Sequence, residues 1–318
     1  MALPVVRFEH AGAARWGVLF GPRIAPLAET YADTGALLRN GQPELRRLRA
    51  EHATLALDAV TLLSPVTSDQ QFICQGVNYA SHVRESGMDP SKLPFNTIFT
   101  KASSCLTGAN ADVIQPHHVS LLDYEIELGL VMGRDMTRGE TIAPDALHTC
   151  LAGLTIVNDI SARDVQLTQG QFYKGKSYRT FGPAGPVLLL LEPTEWLRWP
   201  ELRMRLDVNG SVRQQAQCGE MIFAPHRTLT ELSALQDLHA GDLIATGTPA
   251  GCAAKAPSKL VLFVMRHFVS DATKWKLFIK KGQTNPLYLK AGDVVNASVR
   301  TDDGALDLGA QRNRIVAA

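Results

Sequence analysis

Apolar and polar positions alternate with a period of two along most of this chain, the spacing of strands that bury one face. Short strand patterns fill residues 4–28, and a helical period follows over 30–52, where Leu37, Leu38, Leu45 and Leu48 recur among arginines and glutamates. From about Thr61 strands dominate, at 72–78, 97–101, 124–133, 151–160, 186–191 and 202–208. Asn209-Gly210 between two strand patterns is the strongest hairpin signal in the chain. Helical stretches are short, at 142–149 and 226–235, and Gly241-Asp242 and Gly292-Asp293 read as turns feeding strands. The pattern predicts a mainly β (α+β) protein, with a small N-terminal α+β domain over 1–65 and a larger domain over 66–318.

At 318 residues and 45% hydrophobic content the chain can bury a proper core. Thirty-two basic against thirty-one acidic residues give a formal charge of +1, so no global field steers it to nucleic acid or to a membrane. The five cysteines, Cys74, Cys105, Cys150, Cys218 and Cys252, never take a Cys-x-x-Cys spacing. That usage, with no leader pattern and no run of about 18 apolar residues, fits a cytoplasmic protein. Residues 252–285 carry seven basic side chains against Asp271, around the apolar run Leu260–Val269. A solvated face around an apolar anchor explains them, and so would attraction of an acidic ligand.

Candidate chemistry starts at Leu121–Met132, where Glu125 and Glu127 interrupt a buried-strand pattern. Their side chains project from one face, roughly 7 Å apart along the strand. Either that face is a wet sheet edge, or a hard divalent cation neutralises the pair. Downstream, Asp159 lies where the strand 151–160 runs into a helix start; it either caps that helix or adds a third oxygen ligand. Arg163 and Asp164 read as structural pairs near the same turn. His82 and Glu85 are three apart on a helical pattern, as an incidental surface pair or as a general base with its orienting carboxylate. Lys176 lies in a Gly/Pro-rich segment, and Gly247 and Thr248 in a small-residue loop after an apolar strand. A solvated lysine and a plain turn are the bland readings; oxyanion stabilisation and carboxylate binding are the functional ones. No Gly-x-Ser-x-Gly elbow or zinc-like histidine spacing occurs, which disfavours a serine hydrolase or a zinc enzyme.

Five segments in order, Gly76-Val-Asn-Tyr-Ala-Ser-His-Val-Arg-Glu, Asp123-Tyr-Glu-Ile-Glu-Leu, Asn158-Asp-Ile-Ser-Ala-Arg-Asp, Gly175-Lys-Ser-Tyr-Arg-Thr-Phe-Gly-Pro-Ala-Gly-Pro and Gly241-Asp-Leu-Ile-Ala-Thr-Gly-Thr-Pro-Ala-Gly, resemble the fumarylacetoacetate hydrolase family. The resemblance spans about residues 70–252 and resumes near Tyr288–Arg314. It implies a mixed β-roll or β-sandwich, commonly a homodimer, behind a small N-terminal domain. By the same resemblance Glu125, Glu127 and Asp159 would hold Mg2+, Mn2+ or Ca2+. His82 and Glu85 would form a water-activating dyad on a lid helix, Lys176 would be the lysine near the metal, and Thr248, with Gly247, would contact the substrate carboxylate. Two departures stand out: Arg179, where many members have aspartate, and a long insertion at about 253–285.

These parts suit hydrolysis of a carbon-carbon bond in a 2,4-dioxo acid of the acylpyruvate or fumarylacetoacetate type, as in the catabolism of aromatic compounds. The metal would act as Lewis acid for the enolate, and the dyad would activate water. An oxaloacetate-type decarboxylase or a 2-hydroxyhepta-2,4-diene-1,7-dioate-type isomerase would use the same scaffold. A third possibility is a module that only binds a small acid or a protein.

Overall fold

A computed structural model describes residues 2–255 and 270–318. Its core is an eleven-stranded mixed sheet faced by a five-stranded one, a mainly β architecture of the expected class. In the large sheet Leu3–His10 pairs with Leu188–Leu190, and the order continues through Leu151–Asn158, Ile126–Met132, Leu243–Ala245, Phe72–Gly76 and Thr97–Lys101. Neighbours here are antiparallel except Leu243–Ala245 beside Phe72–Gly76, which run parallel. On the other edge, Ala13–Phe20 and Arg23–Pro26 extend the sheet from Leu3–His10.

The smaller sheet runs Ser211–Gln217, Arg203–Val208, Val294–Arg300, Asp307–Ala317, Val113–Gln115. Asn209-Gly210 turns its hairpin with positive φ at both residues, as a two-residue loop of this kind requires. Buried polar side chains stitch the two sheets together. Gln311, from the small sheet, donates to the carbonyls of Ile156 and Gly185 at 3.0 Å each.

Two helical expectations change. The period over 30–52 forms Thr34–Asn40 and Gln42–Leu45, split at Gly41-Gln42-Pro43, because proline lacks the N–H that a continuous helix needs. Residues 142–149 form only a single short turn, Leu147–Thr149, while Pro225–Leu235 is a helix as expected. Within the 253–285 insertion, Asp271–Gln283 is a helix that Ser270 caps, and Leu260–Val269 lies outside the described residues. No helix among the described residues is long and apolar enough to cross a membrane.

Candidate active site

Ile126–Met132 is an interior strand, flanked on both sides, so the wet-edge reading of its glutamates fails. Glu125 and Glu127 are only 5% and 1% exposed. Just ahead of the strand, Glu125 bonds its N–H to the Asn158 side chain at 3.0 Å, and its carbonyl accepts from Asp159 N–H at 2.8 Å. This backbone pairing carries Asp159 to the glutamates, and carboxylate oxygens of all three lie within 4.8 Å of one another. Capping is not the role of Asp159, since the helix Arg163–Gln169 begins at Ala162 with no side-chain cap.

Three cations share this buried space. Lys176 Nζ donates to Glu125 at 2.8 Å and to Asp159 at 2.5 Å. Lys101, at the end of its strand, reaches the other Asp159 oxygen at 2.5 Å and the Phe181 carbonyl at 2.7 Å. Arg163 bonds Glu125 and, at 2.8 Å, Asp123, whose carboxylate also accepts the Ala253 and Ala254 N–H groups. Of the charges that the cluster organises, sequence reasoning had left Lys101 and Asp123 unassigned and Arg163 as a plain structural pair. The one available signal was a lysine closing an apolar strand pattern, and nothing in that pattern says the lysine turns inward.

Three cations answer four carboxylates, and among the described residues the carboxylate left without a cation is Glu127. Burial, then the nearby Asp159 and Glu125 charges, push the Glu127 carboxyl well above its ordinary range. Burial also pushes Glu125 up, but Lys176 and Arg163 outweigh it and hold that carboxyl low. Lys176 loses to burial and gains more from Asp159 and Glu125, so its pKa rises and it stays an ammonium. Among the described residues, the sole hydrogen bond to the Glu127 carboxylate comes from Gly247 N–H at 2.8 Å. Gly247 reaches it with φ +86, where a side-chain carbon would also crowd Asn78 at 2.9 Å.

Around these groups the helix Ala80–Glu85 and the loop after Leu243–Ala245 form a rim. His82 Nδ1 is buried without a hydrogen bond. Burial lowers the His82 pKa below 6.5, Glu125 and Glu85 oppose that, and Arg163 adds to it. Glu85 instead accepts from Gly251 N–H at 2.8 Å and pairs with Lys255 at 3.4 Å, so no hydrogen bond joins it to His82. The Thr248 hydroxyl donates to the Ile126 carbonyl at 3.0 Å and accepts from Gln214 at 2.8 Å. Arg179 is exposed and outside the cluster. Surface cavities of about 310 and 840 Å³ open elsewhere, one beside Arg46 and Arg134, the other beside Leu57 and Asn110.

The donor set fits a hard divalent cation. Carboxylate oxygens suit Mg2+, Mn2+ or Ca2+, and Glu127, with no cation of its own among the described residues, is the carboxyl such an ion would ionise and ligate.

Residues 71–316 match the family model described as fumarylacetoacetate (FAA) hydrolase C-terminal. The oxaloacetate tautomerase YisK of Bacillus subtilis is 34% identical over 248 residues, covering 77% of this chain and 71% of that protein. A mitochondrial oxaloacetate tautomerase of Bos taurus, FAHD2A, is 34% identical over 220 residues, 67% of this chain and 68% of that protein. Among solved structures, a probable 2-hydroxyhepta-2,4-diene-1,7-dioate isomerase from Mycobacterium abscessus superposes with TM-score 0.71 at 28% identity, over 100% of this chain and 99% of that one. A fumarylacetoacetate hydrolase from Exiguobacterium antarcticum does so with TM-score 0.68 at 28% identity, over 99% and 100%.

Proposed function

The chain belongs to the fumarylacetoacetate hydrolase family, whose members are enzymes, and from that premise we propose that it interconverts the keto and enol forms of an oxaloacetate-type 2-oxo diacid. The observation that carries this reading is His82, a half-buried imidazole with a shielded Nδ1 unpartnered among the described residues and a lowered pKa, beside the carboxylate cluster. Such a group is neutral near pH 7 and can take a proton from carbon and return it. Carbon-carbon hydrolysis, the first expectation from the sequence, yields to the isomerase alternative for two reasons. The relatives described above are named tautomerases and an isomerase more than hydrolases. Water activation, moreover, calls for a carboxylate bonded to the histidine, and Glu85 is engaged by Gly251 and Lys255.

Glu125, Glu127 and Asp159 would hold a divalent cation, Mg2+ or Mn2+, which when bound supplies Lewis-acid polarisation of the 2-oxo group. His82 would move the proton at C3. Lys176, kept charged by its carboxylate neighbours, would offset negative charge growing on the enolate oxygen. Lys101 positions Asp159, and Gly247 positions Glu127. A Thr248 contact to the substrate carboxylate would exchange one of its two present hydrogen bonds.

The test follows oxaloacetate through the enzyme by absorbance and proton NMR with Mg2+ or Mn2+. Faster enol-keto interconversion with the four-carbon skeleton intact is expected. Release of carbon dioxide and pyruvate instead would assign a decarboxylase. Acylpyruvate cleavage without tautomerisation would restore the hydrolase.

A further inference from the structure

Arg213 is the extra residue of a bulge in Ser211–Gln217, the edge strand of the smaller sheet. The ladder steps from Leu206 opposite Gln214 to Asp207 opposite Val212, leaving Arg213 with no cross-strand partner. Bulges take a side chain out of the regular alternation and re-aim it. Its neighbour Gln214 accepts from the Ile126 N–H at 2.9 Å and donates to Thr248, so Arg213 adjoins the stretch between Glu125 and Glu127.

The rim loop closes on the same place. Gly251 has φ +112, and a side-chain carbon there would collide with the Arg213 carbonyl. Gly251 also donates to Glu85 at 2.8 Å and accepts from the Tyr124 hydroxyl at 3.1 Å. The bulge therefore stands where the His82 helix, the loop and the carboxylate strand meet.

Whereas Lys101, Lys176 and Arg163 are all neutralised by carboxylates, the half-buried Arg213 has no carboxylate partner among the described residues. Its Nε is shut from solvent without a hydrogen bond. Burial and Asp123 push the Tyr124 hydroxyl up, and the Arg213 charge partly offsets them, so guanidinium and phenol lie close. Leaving a shielded guanidinium N–H without an acceptor costs free energy that an incoming anion would recover.

We propose that Arg213 receives the distal carboxylate of the substrate and selects 2-oxo diacids over 2-oxo monoacids, an inference that rests on the function proposed above. The planar guanidinium suits a carboxylate that arrives from outside and binds through two oxygens.

L-malate and L-lactate test it, because these 2-hydroxy acids differ by that one carboxylate. Calorimetric titration of the Mg2+-loaded full-length protein should show malate binding tighter by roughly 10- to 100-fold, the worth of a charged hydrogen bond. Arg213→Gln should bring malate down to the lactate level with lactate unchanged, and Arg213→Lys should keep part of the preference. Equal affinities in the wild type would overturn the inference, as would a Gln variant that weakens both ligands alike or neither. The wild-type comparison stands even if a variant fails to fold. A malate preference lost in Arg213→Gln, without oxaloacetate tautomerisation by the wild type, would overturn the reaction and leave the diacid subsite standing.

Discussion

In the cluster at the head of Ile126–Met132, Lys101, Lys176 and Arg163 each bond a carboxylate, whereas the rim beside it leaves His82 Nδ1 and Arg213 Nε shielded without partners among the described residues. The two regions touch through Gln214 and Gly251, so the contrast is not one of distance. Charges that partner one another hold a fixed geometry, and the desolvation of each is offset locally. Polar groups without partners are costly, and such groups cluster where a ligand completes them. Glu127 is the exception inside the cluster, a buried carboxylate with one N–H and no cation, and it marks the candidate metal position.

Substitutions can break that contrast. The largest effect is expected from His82→Ala, with kcat for oxaloacetate tautomerisation falling about 10²- to 10⁴-fold while the urea unfolding midpoint stays put. A shifted midpoint with kcat preserved would make His82 a packing residue. Next comes Glu125→Gln, which takes one of two carboxylates from each of Arg163 and Lys176, leaving them Asp123 and Asp159. It should lower unfolding free energy by about 3–5 kcal/mol as well as abolish Mg2+ binding.

Glu85→Gln separates isomerase from hydrolase. With no hydrogen bond to His82, its loss should change kcat less than about tenfold, and a drop matching His82→Ala would bring back the water-activating dyad. The smallest stability change is expected for Glu127→Gln in the metal-free protein, about 1 kcal/mol or less, because burial already favours the neutral form of the carboxyl it replaces. Its Mg2+ affinity should nevertheless collapse.

The pH dependence carries opposite signs at the two glutamates. Glu127, raised in the folded state, contributes stability below its ordinary value of 4.5 and loses it as pH climbs through the raised value. Glu125, lowered, contributes above 4.5 and loses its share on acidification. Metal-free protein melted across pH should show both limbs. Below the raised Glu127 value, Mg2+ binding should release a proton, detectable by calorimetry in buffers of different ionisation enthalpy. No release would place the ion away from Glu127.

Strands were legible in the sequence where one face is apolar and local turn chemistry agrees, as at Thr97–Lys101 and across Asn209-Gly210. The helix over 142–149 was not, since a short apolar period cannot tell a helix from a loop that packs its apolar residues. Glu125, Glu127 and Asp159 were legible because carboxylates in buried-strand patterns demand compensation wherever the chain goes. Their compensation was not. Lys101 stands 58 residues from Asp159, Arg163 stands 40 from Asp123, and the bulge that leaves Arg213 without a cross-strand partner exists only once two strands pair out of step.

The sequence by itself determined the strand content, the family's ordered segments and which acids needed a counter-charge, because periodicity and the cost of burying charge are properties of short stretches. Only the tertiary structure decided which cations answer those acids, that Glu127 is left over, and that His82 and Arg213 stay unpaired. Those outcomes depend on distances between residues far apart in the chain, and an ion pair or an orphaned nitrogen is defined by distance alone.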